Sequence, residues 1–175
     1  MKKGLIHIYC GDGKGKTTAA MGLSVRAAGC GMKVILTQFM KNGTSNEIKV
    51  LKNLPNVTFV CVEKHLGFFW NMTQEEKEEA KALYQQLFRH VTKLAIEEEA
   101  DLLVMDEFMS AYHYGWIDQK EALQFLKNKP EKLEVVLTGR DPGEELIGLA
   151  DYVTEMRKIK HPYEQGVPAR KGIEL

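Results

Sequence analysis

Lys16 and Thr17, preceded by glycines at 11, 13 and 15, are the residues in this sequence whose types and spacing point most directly to chemistry. Glycines let a backbone turn its N–H groups inward, and a helix starting near Lys16 would add its positive end. Such a cradle holds a polyphosphate, with Lys16 reaching phosphate oxygens and Thr17 offering its hydroxyl to Mg²⁺. Gly11, Asp12, Gly13, Lys14, Gly15, Lys16, Thr17 and Thr18 are therefore the candidate nucleotide-binding residues. Cys10 stands where the usual loop pattern has its first glycine, while Gly15, Lys16 and Thr17 match it. Farther along, the apolar run Leu102 to Met105 ends in Asp106 and Glu107, carboxylates suited to binding Mg²⁺ directly or through water. Arg140 closes another apolar run and offers a guanidinium to phosphate oxygens or to a surface salt bridge.

These residues need strands and helices to bring them together. Leu5 to Tyr9 reads as a buried strand, Ala19 to Ala28 as a helix stopped by Gly29 and Gly31, and Lys33 to Phe39 as the next strand. A right-handed crossover makes the two strands parallel and sets the loop at the carboxyl edge of a sheet. A polar loop over 40–46 and a short helix over 47–53 lead to a strand over 57–62. Thr73 to Glu76 has the form of a capping box before a helix with apolar positions from Ala80 to Ala95 at helical spacing. Strands over 133–140 and 152–156 and helices over 119–127 and 144–150 continue the alternation. Tyr112, His113, Tyr114 and Trp116 read as an aromatic loop, and residues 157–175 as an irregular tail packed over the sheet edge. The expected fold class is α/β, P-loop NTPase-like, with a mostly parallel central sheet and helices on both faces.

The chain has 175 residues, of which 44% are hydrophobic, enough for one sizeable core and a single domain over 1–175. Lys plus Arg and Asp plus Glu number 24 each, so no global positive field attracts nucleic acid or an anionic membrane. Three widely spaced cysteines at 10, 30 and 61 read as reduced, packed thiols. The N-terminal apolar stretch is too short for a signal sequence and no run is long enough to span a bilayer, which sets the expected location as cytoplasmic.

Residues 67–70, Gly-Phe-Phe-Trp, interrupt the alternation with three adjacent rings, either as a plug beneath a loop or as a grip on a flat ligand. Together with Gly11 to Ala20, Met105 to Glu107, Leu137 to Arg140, Glu145 to Ile147, Ala150-Asp151, and the tail segments Lys160 to Tyr163 and Lys171 to Glu174, they carry a resemblance. Over nearly its whole length the chain resembles the P-loop ATP:corrinoid adenosyltransferases. That resemblance implies attack of a corrinoid cobalt(I) on the ribose 5′-carbon of ATP, bound in reverse sense, with loss of inorganic triphosphate. It also implies that Lys16 and nearby amides hold phosphates, and that Thr17 and Glu107, with Asp106, serve Mg²⁺. Phe68 and Trp70 match the positions that displace the lower axial ligand of the corrinoid. A homodimer and an electron donor such as a reduced flavoprotein follow from the same likeness. His65 and His113 lie outside any cobalt-ligating pattern and read as structural or loop residues. From the residues alone, a P-loop kinase or ATPase and a nucleotide-responsive binding module remain open.

Overall fold

The computed structural model describes residues 3–64 and 69–174. Strands β1 (Ile6–Cys10), β2 (Val34–Gln38), β3 (Val57–Cys61), β4 (Leu102–Asp106), β5 (Glu134–Thr138) and β6 (Tyr152–Glu155) form one six-stranded sheet, in the order β3-β2-β4-β5-β1-β6. All pairings are parallel. Every carboxyl end therefore opens on the same edge, where the loops that follow β1, β4 and β5 meet.

Alternation along the strands feeds two apolar layers. Val34, Leu36, Leu102, Val104 and Val136 face Ala20, Met21 and Ala27 of α1 (Lys16–Gly29) and Ile48 and Leu51 of α2 (Asn46–Leu51). Ile35, Leu103, Met105, Val135 and Leu137 face the other layer, built from α3 (Gln74–Glu97), α4 (Phe108–His113), α5 (Gln119–Asn128) and α6 (Glu144–Leu149). Central strands buried on both faces need apolar runs, which β2 carries through Leu36 and β4 through Met105 before each ends in buried polar residues.

The capping box of α3 is formed: Thr73 Oγ1 accepts from the Glu76 N–H, and Glu76 accepts from the Thr73 N–H. Tyr84, Leu87, Phe88, Val91 and Ala95 then line its buried face, each large apolar side chain contributing roughly 1.5–3 kcal/mol of burial.

Three expectations change. The aromatic stretch over 112–116 is not wholly a loop: Tyr112 and His113 form the end of α4, and Trp116 is buried and stacks on Tyr84 at 5.2 Å. Tyr112 and Trp116 are drawn inward with α4 and its buried Phe108, while His113 and Tyr114 stay exposed. Cys30 is exposed, unlike Cys10, because it caps the end of α1. The tail is irregular apart from a short 3-10 turn over Pro162–Gln165, but it packs against the loop after β1, not simply over the sheet edge.

Gly139 joins β5 to this edge with φ of 152°, and a Cβ there would sit 2.3 Å from Met109 Cβ. Gly139→Ala should lower unfolding free energy by at least about 2 kcal/mol, read by denaturant titration, since neither the backbone nor α4 can yield cheaply.

Candidate active site

Apolar β1 ends in the buried Cys10, and the chain turns through Gly11 and Gly15, with φ of 98° and 118°, into the first turn of α1. Gly15 is the N-cap and supplies no side-chain cap, so the amides of Lys16, Thr17 and Thr18 stand where a helix offers no acceptor. An anion completes such an end. The amides of Gly11 and Gly13 are committed elsewhere, donating to the carbonyls of Arg140 and Met156 at 2.9 and 2.7 Å. Gly13 and Gly11 are glycines for a further reason: a Cβ on either would fall within 2.6 Å of Met156 O.

Lys16 Nζ folds over the loop and donates to the carbonyls of Gly11 and Gly13 at 2.7 and 2.8 Å. Burial draws its pKa below the ordinary value, Glu107 opposes that shift, and Arg140 adds to it. Glu107 and Arg140 are thus near enough to Lys16 for their charges to be felt there.

Asp106 is fully buried at the end of β4. Its Oδ1 accepts from Thr17 Oγ1 at 2.8 Å and Thr138 Oγ1 at 2.7 Å, and its Oδ2 accepts from Gln38 Nε2 and Lys41 Nζ, both at 3.0 Å. The four donors use the acceptor positions a carboxylate has. Thr17 spends its proton on Asp106 and keeps its lone pairs for another partner. Thr138 in turn accepts from the Glu107 N–H at 2.9 Å. Glu107 sits in the left-handed region at φ 57°, a conformation that costs a non-glycine residue on the order of 1–3 kcal/mol, with Ser110 Oγ at 3.3 Å from its carboxylate.

The sequence-predicted loop, Thr17, Asp106 and Glu107 are therefore brought together, with Arg140 beside them. Trp70 lies in a short 3-10 turn that precedes α3 in the chain, and it is 70% exposed. Phe68 and His65 lie outside the described residues. His113 ends α4 as an exposed residue. The sequence reading missed Lys41, Gln38 and Thr138, each at or just after the carboxyl end of a strand, which was the available signal. It also missed how Lys158 Nζ pairs with Glu164, while its N–H donates to Asp12 Oδ1 at 3.0 Å.

Mg²⁺ keeps several waters and takes few protein ligands. Thr17 and the part-exposed Glu107 fit that demand as direct ligands, whereas Asp106 is saturated and fits as an orienting group. Among the described residues, no cluster of three or more His, Cys, Asp or Glu suits an all-protein metal centre. Burial raises the Cys10 thiol pKa.

The 3.0 Å pair between Lys41 and Asp106 should be a coupled one. Lys41→Met is expected to cost about 1–2 kcal/mol of stability, reduced because the lysine is partly exposed, and less in an Asp106→Asn background; a double-mutant cycle reads the coupling. At the tail, hydrogen bonds from the Arg170 side chain and N–H hold Glu174 down at about 2, from 4.5. A depressed carboxylate stabilises above its ordinary range, so this tether should persist as pH falls and be lost only through about pH 2. Carboxyl NMR titration checks it, and a midpoint near 4.5 would mean the contact is not made.

The family model described as ATP:corrinoid adenosyltransferase BtuR/CobO/CobP matches residues 2–175. A corrinoid adenosyltransferase of Escherichia coli (strain K12) is 32% identical over 173 residues, covering 99% of this chain and 86% of that protein. One from Sinorhizobium sp is 35% identical over 186 residues, covering 99% and 81%. A solved structure of EssC (ATPases 2 and 3) from Geobacillus thermodenitrificans superposes with a TM-score of 0.54 at 13% identity. It covers 98% of this chain, which spans 35% of that one, and the likeness is one of fold alone. With the loop, the strand-end carboxylates and a match along the whole sequence in agreement, the chain belongs to the ATP:corrinoid adenosyltransferase family.

Proposed function

We propose that this enzyme transfers the 5′-deoxyadenosyl group of ATP to the cobalt(I) of a reduced corrinoid and releases inorganic triphosphate. Cobalt(I) supplies the electron pair of the new cobalt–carbon bond, the C5′–O bond breaks, and its pair leaves on the triphosphate oxygen. No proton needs to be removed, so no general base is required. The protein must align the reactants and offset charge on the leaving group.

The observation that carries this reading is the bond from Thr17 Oγ1 to buried Asp106, which leaves the hydroxyl lone pairs for another partner, beside a Glu107 carboxylate that accepts one long bond from Ser110. In this reading Lys16, with the amides of Lys14, Gly15, Thr17 and Thr18, binds the phosphates. Gly11 and Gly13 shape the loop, Asp12 anchors the tail, and Arg140 braces phosphate oxygens. Thr17 and Glu107 would hold Mg²⁺, which supplies charge neutralisation of the triphosphate when bound, while Asp106 keeps Thr17 oriented. Trp70, with Phe68, would wall the corrinoid and exclude its lower axial ligand, a role its exposed ring supports. The single domain would act as a homodimer in the cytoplasm, supplied with electrons by a donor such as a reduced flavoprotein. No helix among the described residues is long and apolar enough to cross a membrane.

Incubation with MgATP and a chemically reduced corrinoid should give a light-sensitive cobalt–carbon product and triphosphate in equal amounts. ADP and phosphate formed without corrinoid would instead mark a kinase or ATPase. Glu107→Gln should lower kcat/KM by about 10²-fold or more, and Trp70→Ala should spare ATP binding while abolishing the four-coordinate cobalt(II) spectrum.

A further inference from the structure

The tail builds a cavity beside the phosphate loop; the cavity shares Asp12 and Arg140 with the site described above and adds residues of the tail. It measures about 240 Å³ and is lined by Asp12, Arg140, Lys158, His161, Tyr163 and Glu164. Arg140 follows β5 and Lys158 follows β6, the strands on either side of β1 and its loop. The Arg140 guanidinium makes no hydrogen bond or ion pair among the described residues. Its charge is felt at Lys16 on one side and at Lys158 on the other. Lys16, Arg140 and Lys158 thus form a run of cations leading from the loop into the cavity. His161 Nδ1 accepts from the Tyr163 N–H at 3.2 Å, which leaves Nε2 as a donor. Two acids share the cavity: Asp12 accepts the Lys158 N–H, and Glu164 lies 2.7 Å from the Lys158 amine. Both acids are engaged by the tail, whereas Arg140 has no counter-ion among the described residues.

Displacement at carbon puts the leaving group opposite the nucleophile. Trp70 follows β3 in the chain, and β3 is the end strand opposite β6, so a corrinoid resting against Trp70 is taken to approach from that end of the sheet. Strands lie about 4.8 Å apart, so β3 stands four spacings, roughly 19 Å, from β1, while β6 is the next strand on the other side. A triphosphate leaving away from the corrinoid is directed along the cation run toward β6. We propose that the tail-walled cavity is the subsite for the outermost phosphate of the triphosphate, in ATP and in the product, with Lys158 as its phosphate-positioning residue. The direction of displacement rests on the adenosyl-transfer reading; the cation run and cavity do not.

The test is calorimetric binding of inorganic triphosphate and pyrophosphate, at one fixed Mg²⁺ concentration, to the full chain and to Lys158→Ala. Truncating this side chain keeps the backbone bond to Asp12, and circular dichroism verifies the fold. Lys158→Ala should weaken triphosphate about three- to tenfold and change pyrophosphate by less than about twofold, because only the longer anion reaches the cavity. Equal losses for both anions, or no loss for either, overturn the subsite. So does a variant that binds triphosphate normally while losing calorimetric binding of adenosine, since the cavity would then hold the nucleoside. These arms contain no corrinoid, so they report on the subsite even if adenosyl transfer fails. An enzyme that forms the cobalt–carbon bond while Lys158→Ala leaves triphosphate affinity unchanged keeps its reaction and loses only this assignment.

Discussion

The carboxylate of Asp106 is the constraint on which the rest of the site depends. A charge fully withdrawn from water persists only when hydrogen-bonded and compensated. Here the donors arrive from the start of α1, the ends of β2 and β5, and the loop that carries Lys41. One buried group therefore ties four segments together at the carboxyl edge of the sheet. It also fixes the direction of the Thr17 hydroxyl. Thr138 passes the constraint on to Glu107, whose left-handed backbone is held by a bond from its N–H to the same threonine that serves Asp106.

A second division of labour lies in the loop itself. Gly11 and Gly13 give their amides to protein carbonyls and their missing side chains to the tail, which presses its backbone against them. Those glycines allow the tail to approach, and the bonds from their amides tie the loop to it and to Arg140 after β5. The amides at the start of α1 are left for phosphate, and Lys16 rests on loop carbonyls that can release it to a stronger anion. The tail is in this way a wall of the site.

Much of this was legible in the sequence. Gly11 to Thr18, the apolar run ending in Asp106-Glu107 and the capping box before α3 each have a local chemical cause, and each lies where its spacing placed it. The parallel α/β sheet followed from the same alternation. Local pattern could not reveal partners distant in sequence: Lys41 and Gln38 acquire meaning only once β2 lies beside β4, and Thr138 only once β5 does. The aromatic run at 112–116 misled because consecutive rings look alike whether they face solvent or core. Only the packing of Trp116 on Tyr84 distinguishes the two. The tail lacks periodicity, so its contact with Asp12 and Gly13 left no trace in the pattern.

The central claim is that this site directs displacement to carbon and not to phosphorus. ATP carrying heavy oxygen at the bridge between C5′ and the α-phosphorus tests it most directly, with the products of a single turnover weighed by mass spectrometry. The account predicts that the label is retained in full by inorganic triphosphate, because the C5′–O bond breaks. Label found in the nucleoside product, or in ADP, would show that a phosphorus–oxygen bond had been cut and would contradict it.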